Sequence, residues 1–145
     1  MGGQMARVLV LDDQECLLEI ISVYLASSGH SILRCSSSES AIRQFKDVNG
    51  AIDLLVADVT LGDSSGVYVG LEFMASTPKL KLLFISGYPL IWWKTGDVVS
   101  FHKLPSDSVR VLQKPFSPLD LLLKVDELVG QLPQAVTISA AAQSA

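Results

Sequence analysis

Five residues with polar or charged side chains lie at the carboxyl ends of four short, largely apolar segments of the chain. They are Asp12, Asp13, Asp58, Ser86 and Lys114. Carboxylates held close together repel one another and raise each other's pKa, and a divalent cation relieves that repulsion. Oxygen ligands of this kind suit Mg²⁺, which also binds phosphoryl oxygens. With the ammonium of Lys114 and the hydroxyl of Ser86 as further partners, such a site could stabilise a phosphoryl group during transfer. The carboxylates are the candidate nucleophiles, because Ser86 has no neighbouring base in the sequence pattern.

The apolar segments that precede these residues have the length and composition of buried strands. They alternate with segments in which apolar residues recur at helical spacing. The predicted strands are 7–11, 31–35, 53–57, 80–86 and 109–113, and the predicted helices are 15–29, 37–48, 66–76 and 118–131. Gly29 is expected to end the first helix, and Ser38 can cap the second. The segment 89–103 is the least regular, with at most a short helix and a loop around Thr95 to Asp97.

A strand followed by a helix therefore occurs five times along the chain. This alternation predicts an α/β fold with a parallel sheet covered by helices on both faces. In such sheets the ligand site lies beyond the carboxyl ends of the strands. The five polar residues are expected to meet at that edge, and their joint placement argues against reading each one as an ordinary turn or cap.

Composition narrows the class of protein. The chain has 145 residues, 49% of them hydrophobic, and a formal net charge of -4, so we expect one domain and no nucleic-acid partner. The two cysteines lack metal-ligand spacing and are expected to be reduced thiols. The sequence contains no signal peptide and no apolar stretch long enough to span a membrane, so we predict a cytoplasmic protein without membrane contact. The domain is expected to cover 5–131, with 132–145 as a disordered tail or linker.

The ordered set Asp12-Asp13, Asp58, Ser86 and Lys114-Pro115-Phe116 resembles the receiver domain of two-component response regulators over about residues 5 to 131. The resemblance implies a flavodoxin-like three-layer α/β sandwich with five parallel strands in the order 2-1-3-4-5. It also implies that Asp58 is the phosphoacceptor, Ser86 the switch hydroxyl and Lys114 a phosphoryl contact. Asp12, Asp13, Asp58 and the backbone carbonyl of Thr60 would hold Mg²⁺. Gly66 matches the glycine that opens the third helix, and Lys114-Pro115 the common cis peptide.

The same resemblance implies a function. The chain would accept a phosphoryl group from a histidine kinase or a His-containing phosphotransfer domain and then switch conformation to regulate a partner. It would assist its own phosphorylation and dephosphorylation rather than act as an enzyme on a separate substrate. A homodimer through the fourth helix, fifth strand and fifth helix is a further possibility. The segments 84-FISGY-88 and 111-VLQKPFSPLDLLLKV-125 resemble those of receivers attached to hybrid histidine kinases.

Three positions depart from the family pattern. Gly62 stands at the usual proline position and Ser65 at the usual acidic position in 60-TLGDSSG-66. Val111 stands where the family usually has a tyrosine or phenylalanine, and valine is too small and stiff for the aromatic rotamer change. We therefore hypothesise that signalling runs through the loop 87–103, or that the domain acts mainly as a phosphoryl sink. Tyr88 is a candidate shield of the phosphorylated aspartate.

Two alternative functions are weighed against this one. A flavin-binding carrier of the same topology would need a Ser/Thr/Gly-rich phosphate loop after the first strand, where Asp12-Asp13 would repel phosphate. A degenerate receiver used only for protein interaction is disfavoured by the intact Asp58 and Lys114. For Trp92-Trp93 we favour packing of both rings on the sheet edge over exposure of one of them.

Overall fold

Five short strands form one parallel sheet in the order β2-β1-β3-β4-β5. The computed structural model describes residues 5–130. The strands are β1 (Arg7–Leu11), β2 (Ser31–Cys35), β3 (Leu54–Asp58), β4 (Lys81–Ser86) and β5 (Val109–Gln113). The helices are α1 (Glu15–Ser27), α2 (Ser38–Asp47), α3 (Gly66–Ser76), α4 (Thr95–Phe101) and α5 (Pro118–Val125), with 3-10 turns at Leu90–Trp92 and Ser106–Ser108 and a π-helical turn at Asp126–Gly130. The predicted α/β fold and strand order are confirmed.

The side chains of the strands alternate between two apolar layers. Leu9, Leu55 and Phe84 belong to the core shared with α2, α3 and α4, whereas Val10 and Val56 belong to the core under α1 and α5. Successive residues of a strand point to opposite faces, so a strand buried on both faces must be apolar throughout. All five residues of β3 are buried, including Asp58 at its end. The sheet is therefore the middle layer of three, and Asp58 is a charged residue on its innermost strand.

The helix ends are specified by local hydrogen bonds. At the end of α1 the Gly29 N–H donates to the Ala26 carbonyl at 3.0 Å and the His30 N–H to the Leu25 carbonyl at 3.2 Å. This pair of bonds requires a left-handed residue at Gly29, which has φ +97°. At the start of α5, Ser117 and Asp120 exchange side-chain to backbone hydrogen bonds in a capping box. The predicted role of Gly29 is thus confirmed.

The region 89–103 differs from the prediction. α4 begins at Thr95, where we expected a loop. Gly96 has low helix propensity, which favours a loop locally, but Val98 and Phe101 pack against the core on that side of the sheet. Packing of an apolar face usually decides whether a short helix forms. The loop prediction for Thr95 to Asp97 was wrong because this packing is a long-range property.

Two further boundaries differ from those expected. The cap of α2 is Ser37, whose hydroxyl accepts from the Ser40 N–H at 3.1 Å. Ser38 instead donates from its hydroxyl to Asp63 at 2.7 Å, joining the start of α2 to the loop after β3. The last helix is α-helical to Val125 and then continues as the π-helical turn to Gly130. The predicted tail 132–145 lies outside the described residues, and no helix within 5–130 is long and apolar enough to cross a membrane.

His30 links the end of α1 to the first strand. Its imidazole Nδ1 accepts a hydrogen bond from the Ala6 N–H at 3.1 Å. Burial lowers the pKa of His30 below its usual value of 6.5, and the charge of Asp126 partly opposes this change. A protonated imidazole cannot accept the Ala6 hydrogen bond, so protons bind the unfolded chain more tightly than the folded one. The stability that His30 contributes is therefore fully present above pH 6.5 and is lost as the pH falls below it.

We expect His30→Asn to reduce the pH dependence of the free energy of unfolding between pH 7 and pH 5. The wild type should lose about 0.5–1.5 kcal/mol more than the variant over this range, the size of one hydrogen bond. Urea unfolding followed by circular dichroism at several pH values measures the difference. His102→Asn, which removes an exposed histidine, is the control and should keep the wild-type slope. Equal slopes in wild type and His30→Asn would contradict the assignment.

Candidate functional site

Strand register brings the predicted residues to one edge of the sheet. β1 pairs with β3 so that Leu11 lies opposite Ala57, and β3 pairs with β4 so that Asp58 lies opposite Ile85. Asp12 follows β1 directly and Ser86 is the last residue of β4. Asp12, Asp58 and Ser86 thus sit on three adjacent strands at their carboxyl ends. This is the arrangement expected from the order of the elements.

Lys114 and Asp58 form an ion pair at the centre of this edge. The Lys114 Nζ lies 2.6 Å from Asp58 Oδ2, and the other carboxylate oxygen, Oδ1, accepts from the Thr60 N–H at 2.8 Å. The Asp58 side chain is 7% exposed and that of Lys114 is 26% exposed. The Lys114 N–H also donates to the Ser86 carbonyl at 2.8 Å, which extends the β4–β5 ladder. The peptide Lys114-Pro115 is cis, as predicted.

Asp12 is a buried carboxylate with one unpartnered oxygen. Only 1% of the residue is exposed. Its Oδ1 accepts from the Gln14 N–H at 2.8 Å, whereas Oδ2 has no hydrogen-bond partner among the described residues. Burial raises the pKa of Asp12 to about 6, and the nearby charges of Asp58 and Asp13 add to this, while the Gln14 hydrogen bond and Lys114 oppose it. A buried acceptor without a donor is costly, and it fits a cation better than it fits an empty pocket.

Asp13 is exposed and binds the loop that follows β3. Its Oδ2 accepts a hydrogen bond from the Gly62 N–H at 2.9 Å. A proline, the family's usual residue at position 62, has no N–H to donate. Gly62 therefore makes a hydrogen bond to Asp13 that a proline could not make. The loop is closed by an antiparallel bridge between Thr60 and Ser65. Ser65 then caps α3 by accepting from the Val67 N–H at 3.1 Å.

The backbone around Asp58 is closely packed on one side. A Cβ at Gly66 would overlap the carbonyl oxygen of Asp58. The Gly66 N–H donates to the Val59 carbonyl at 3.1 Å and the Leu61 N–H to the Ser64 carbonyl at 3.1 Å. The Thr60 carbonyl accepts no backbone hydrogen bond within residues 5–130. It is therefore free for another partner, which is what a metal ligand requires.

The hydroxyl of Ser86 is hydrogen-bonded to the segment that follows β4 and not to Asp58. It donates to the Tyr88 carbonyl at 2.8 Å and accepts from the Tyr88 N–H at 3.0 Å and from the Trp93 Nε1–H at 3.1 Å. Trp93 is buried, with 8% exposed, whereas Trp92 is 69% exposed. The expectation that both rings pack on the sheet was wrong: Trp92 ends the 3-10 turn and stays exposed, whereas Trp93 follows the turn and joins the core. Trp93 is a site residue that the sequence analysis missed, and its only local signal was an aromatic residue after an SGY segment.

The three carboxylates do not form a side-chain metal cage. No group of three or more His, Cys, Asp or Glu side chains within 5–130 is arranged to hold a metal ion. Both oxygens of Asp58 already have partners, in Lys114 and the Thr60 N–H. The oxygens at this edge without a hydrogen-bond partner among the described residues are Asp12 Oδ2, Asp13 Oδ1 and the Thr60 carbonyl. Mg²⁺ commonly uses one or two protein carboxylates and keeps several waters, so this smaller set is compatible with it.

Comparison with known proteins places this chain in a family. The family model described as "Response regulator receiver domain" matches residues 8–126. The sensor kinase CckA of Brucella abortus is 26% identical over 125 residues, which are 86% of this chain and 12% of the kinase. The response regulator SaeR of Staphylococcus aureus is 21% identical over 128 residues, which are 88% of this chain and 52% of that protein. The chain thus spans about half or less of the length of these relatives.

Solved structures agree with the fold. A receiver domain from Clostridium thermocellum superposes with a TM-score of 0.73 at 23% identity, covering 88% of this chain and 96% of that one. The receiver domain of the hybrid histidine kinase CckA superposes with a TM-score of 0.67 at 24% identity, covering 84% and 97%. Since the family model covers most of the sequence and the strand order matches, this chain belongs to the response regulator receiver domains of two-component signalling.

Proposed function

We propose that this chain is a phosphoacceptor in a His-to-Asp phosphorelay and that Asp58 is the residue phosphorylated. The observation that carries the proposal is the ion pair of the buried Asp58 with the partly exposed Lys114 at the carboxyl edge of the sheet, 2.6 Å long. An Asp58 carboxylate oxygen would attack the phosphorus of a phosphohistidine, forming an O–P bond as the N–P bond breaks and the imidazole leaves. The partner would be a histidine kinase or a His-containing phosphotransfer domain. The likeness to CckA, whose solved structure is named as a hybrid histidine kinase receiver, supports this class of partner.

Lys114 has the position needed to help this transfer. Its ammonium pairs with the Asp58 carboxylate in the structure and can shift to a phosphoryl oxygen without leaving the site. A fixed positive charge that is already oriented stabilises the charge on a phosphoryl group during transfer. The intact pair also argues against the alternative of a degenerate receiver, and membership of the family removes the flavin-carrier alternative.

The residues present fit a magnesium ion. We propose that Asp12, Asp13 and the Thr60 carbonyl hold it, with Asp58 beside them. The support is the unpartnered buried Oδ2 of Asp12 and the free carbonyl of Thr60. The ion would supply neutralisation of phosphoryl charge at this edge. Asp12 and Asp13 would orient it, and the Gly62 N–H would keep the Asp13 carboxylate turned toward the loop after β3.

The surface of α4, β5 and α5 is the proposed face for a second copy of the chain. Val99 on α4 and Leu119 and Leu123 on α5 are exposed. A structural relative, at a TM-score of 0.71 and 24% identity over 88% of this chain and 98% of that one, is described as the beryllofluoride-activated NtrC4 receiver domain dimer. The homodimer, the conformational switch that regulates a partner and the cytoplasmic location remain predictions.

Incubation with acetyl phosphate and Mg²⁺ should add one phosphoryl group to the protein, and intact-protein mass spectrometry detects it. Asp58→Asn should abolish the adduct, because an amide oxygen is too weak a nucleophile to replace the carboxylate. Asp63→Asn is the matched control, since Asp63 lies in the same loop but binds the Ser38 hydroxyl. An equal adduct in Asp58→Asn, or none in the wild type, would overturn the assignment.

Without magnesium, we expect Asp12→Asn to raise the free energy of unfolding above pH 6 by roughly 1–3 kcal/mol, because it removes a buried charge next to two carboxylates. The raised pKa of Asp12 means that its ionisation costs stability as the pH rises from 3.8 through about 6. The advantage of the variant should therefore be small near pH 4. Urea unfolding in EDTA at several pH values measures it.

Asp107→Asn is the control for the change of net charge, since Asp107 is exposed. It should leave the free energy of unfolding nearly unchanged. Addition of Mg²⁺ should stabilise the wild type more than Asp12→Asn. A variant that is no more stable than the wild type in EDTA, or that gains as much from Mg²⁺, would contradict the role proposed for Asp12.

A further inference from the structure

All the hydrogen-bonding capacity of the Ser86 hydroxyl is in use. A hydroxyl has one proton and two acceptor lone pairs. The proton goes to the Tyr88 carbonyl, and the lone pairs accept from the Tyr88 N–H and the Trp93 Nε1–H. Ser86 can therefore donate to a phosphoryl group on Asp58 only after it gives up the bond to Tyr88. Any residue that strengthens the present orientation also opposes the active one.

Trp93 is the side chain that strengthens it. The Trp93 Nε1–H is shared between Ser86 Oγ and the Tyr88 carbonyl, at 3.1 Å from each. When the Ser86 hydroxyl rotates from Tyr88 toward a phosphoryl group on Asp58, the Tyr88 carbonyl loses one donor. The Trp93 N–H can then donate to that carbonyl alone. The Trp93 N–H thus has an acceptor in both arrangements, so the rearrangement does not incur the free-energy cost of an unsatisfied buried donor. The hydrogen bonding of the Trp93 indole therefore changes whenever the Ser86 hydroxyl changes its orientation.

The ring of Trp93 connects this bond to α4. It packs edge-on against Phe101, with 5.5 Å between ring centroids, and Phe101 packs in turn on Phe84 of β4 at 6.2 Å. Trp93 also follows the 3-10 turn Leu90–Trp92, which exposes Ile91 and Trp92. A displacement of Trp93 would therefore move both α4 and an exposed apolar segment. Val111, by contrast, is a half-buried residue of β5 that has no hydrogen-bonding side chain.

We propose that Trp93 is a positioning residue for Ser86: its indole N–H holds the serine hydroxyl in the inactive orientation, and release of that bond carries the signal to α4. This inference rests on the proposed function, because it requires a phosphoryl group at Asp58. It assigns the hypothesised signalling route through the loop 87–103 to Trp93 and its Nε1–H group. The device takes the place of an aromatic residue at 111.

A double-mutant cycle tests the proposal with beryllofluoride and Mg²⁺ as the phosphoryl mimic. Affinity is obtained from the rise in Tm with beryllofluoride concentration in the wild type, Trp93→Phe, Ser86→Ala and the double variant. Trp93→Phe keeps an aromatic ring but removes the N–H, so it should bind about two- to fivefold more tightly, within the roughly tenfold limit set by one neutral hydrogen bond. In the Ser86→Ala background the same substitution should change nothing. Trp92→Phe, the matched control, should bind like the wild type.

Fluorescence gives a second measurement with Trp93 intact. Trp92→Phe leaves Trp93 as the single tryptophan of the chain. Its emission should change on saturation with beryllofluoride and should stay constant when Ser86→Ala is added, with binding verified by the Tm shift. Weaker or unchanged binding in Trp93→Phe, an equal effect in both serine backgrounds, or a silent Trp93 would overturn the proposal. Absence of any Tm shift in the wild type, together with absence of a phosphoryl adduct, would instead refute the proposed function on which it rests.

Discussion

The ion pair between Lys114 and Asp58 is the interaction on which the carboxyl edge of the sheet depends. Asp58 is almost entirely buried and lies near Asp12, which is also buried. A buried carboxylate without a counter-charge would be strongly destabilising, and a second one beside it more so. Lys114 supplies the counter-charge from β5, two strands away from β3. The contact therefore links elements far apart in the chain and gives the buried Asp58 side chain an oppositely charged partner.

Lys114 offsets only part of the negative charge at this edge, and the remaining charge bears on function. One ammonium faces three acidic groups, Asp12 keeps an unpartnered oxygen, and its pKa is raised to about 6. Buried polar atoms without a hydrogen-bond partner are rare in natural proteins, and they often mark a functional site or a bound ion. The residual negative charge is what a divalent cation would offset. Lower stability without metal and the proposed affinity for Mg²⁺ would then be two consequences of the same arrangement.

The loop after β3 and the segment after β4 position this charge in different ways. The first is closely packed: Gly66 lies against the Asp58 carbonyl, and Gly62 donates to Asp13. The second occupies the Ser86 hydroxyl with hydrogen bonds to Tyr88 and Trp93. If Asp58 accepts a phosphoryl group as proposed, the first side is already organised for it, whereas the second must rearrange. The proposed chemistry at Asp58 and the proposed transmission to α4 would then depend on different segments of the chain.

The sequence by itself determined the order of strands and helices, and with it the residues at the carboxyl edge. Strand periodicity, the glycine at position 29 and the identities of Asp12, Asp58 and Lys114 are local features, and the rules for parallel sheets convert them into a shared location. The start of α4 at Thr95, the separation of Trp92 from Trp93 and the direction of the Ser86 hydroxyl were decided by tertiary structure. The physical reason is that each of these depends on a partner that local sequence does not contain. The partners are the packing of Val98 and Phe101 for α4, the burial of one indole for the tryptophans, and the geometry of Tyr88 and Trp93 for the serine.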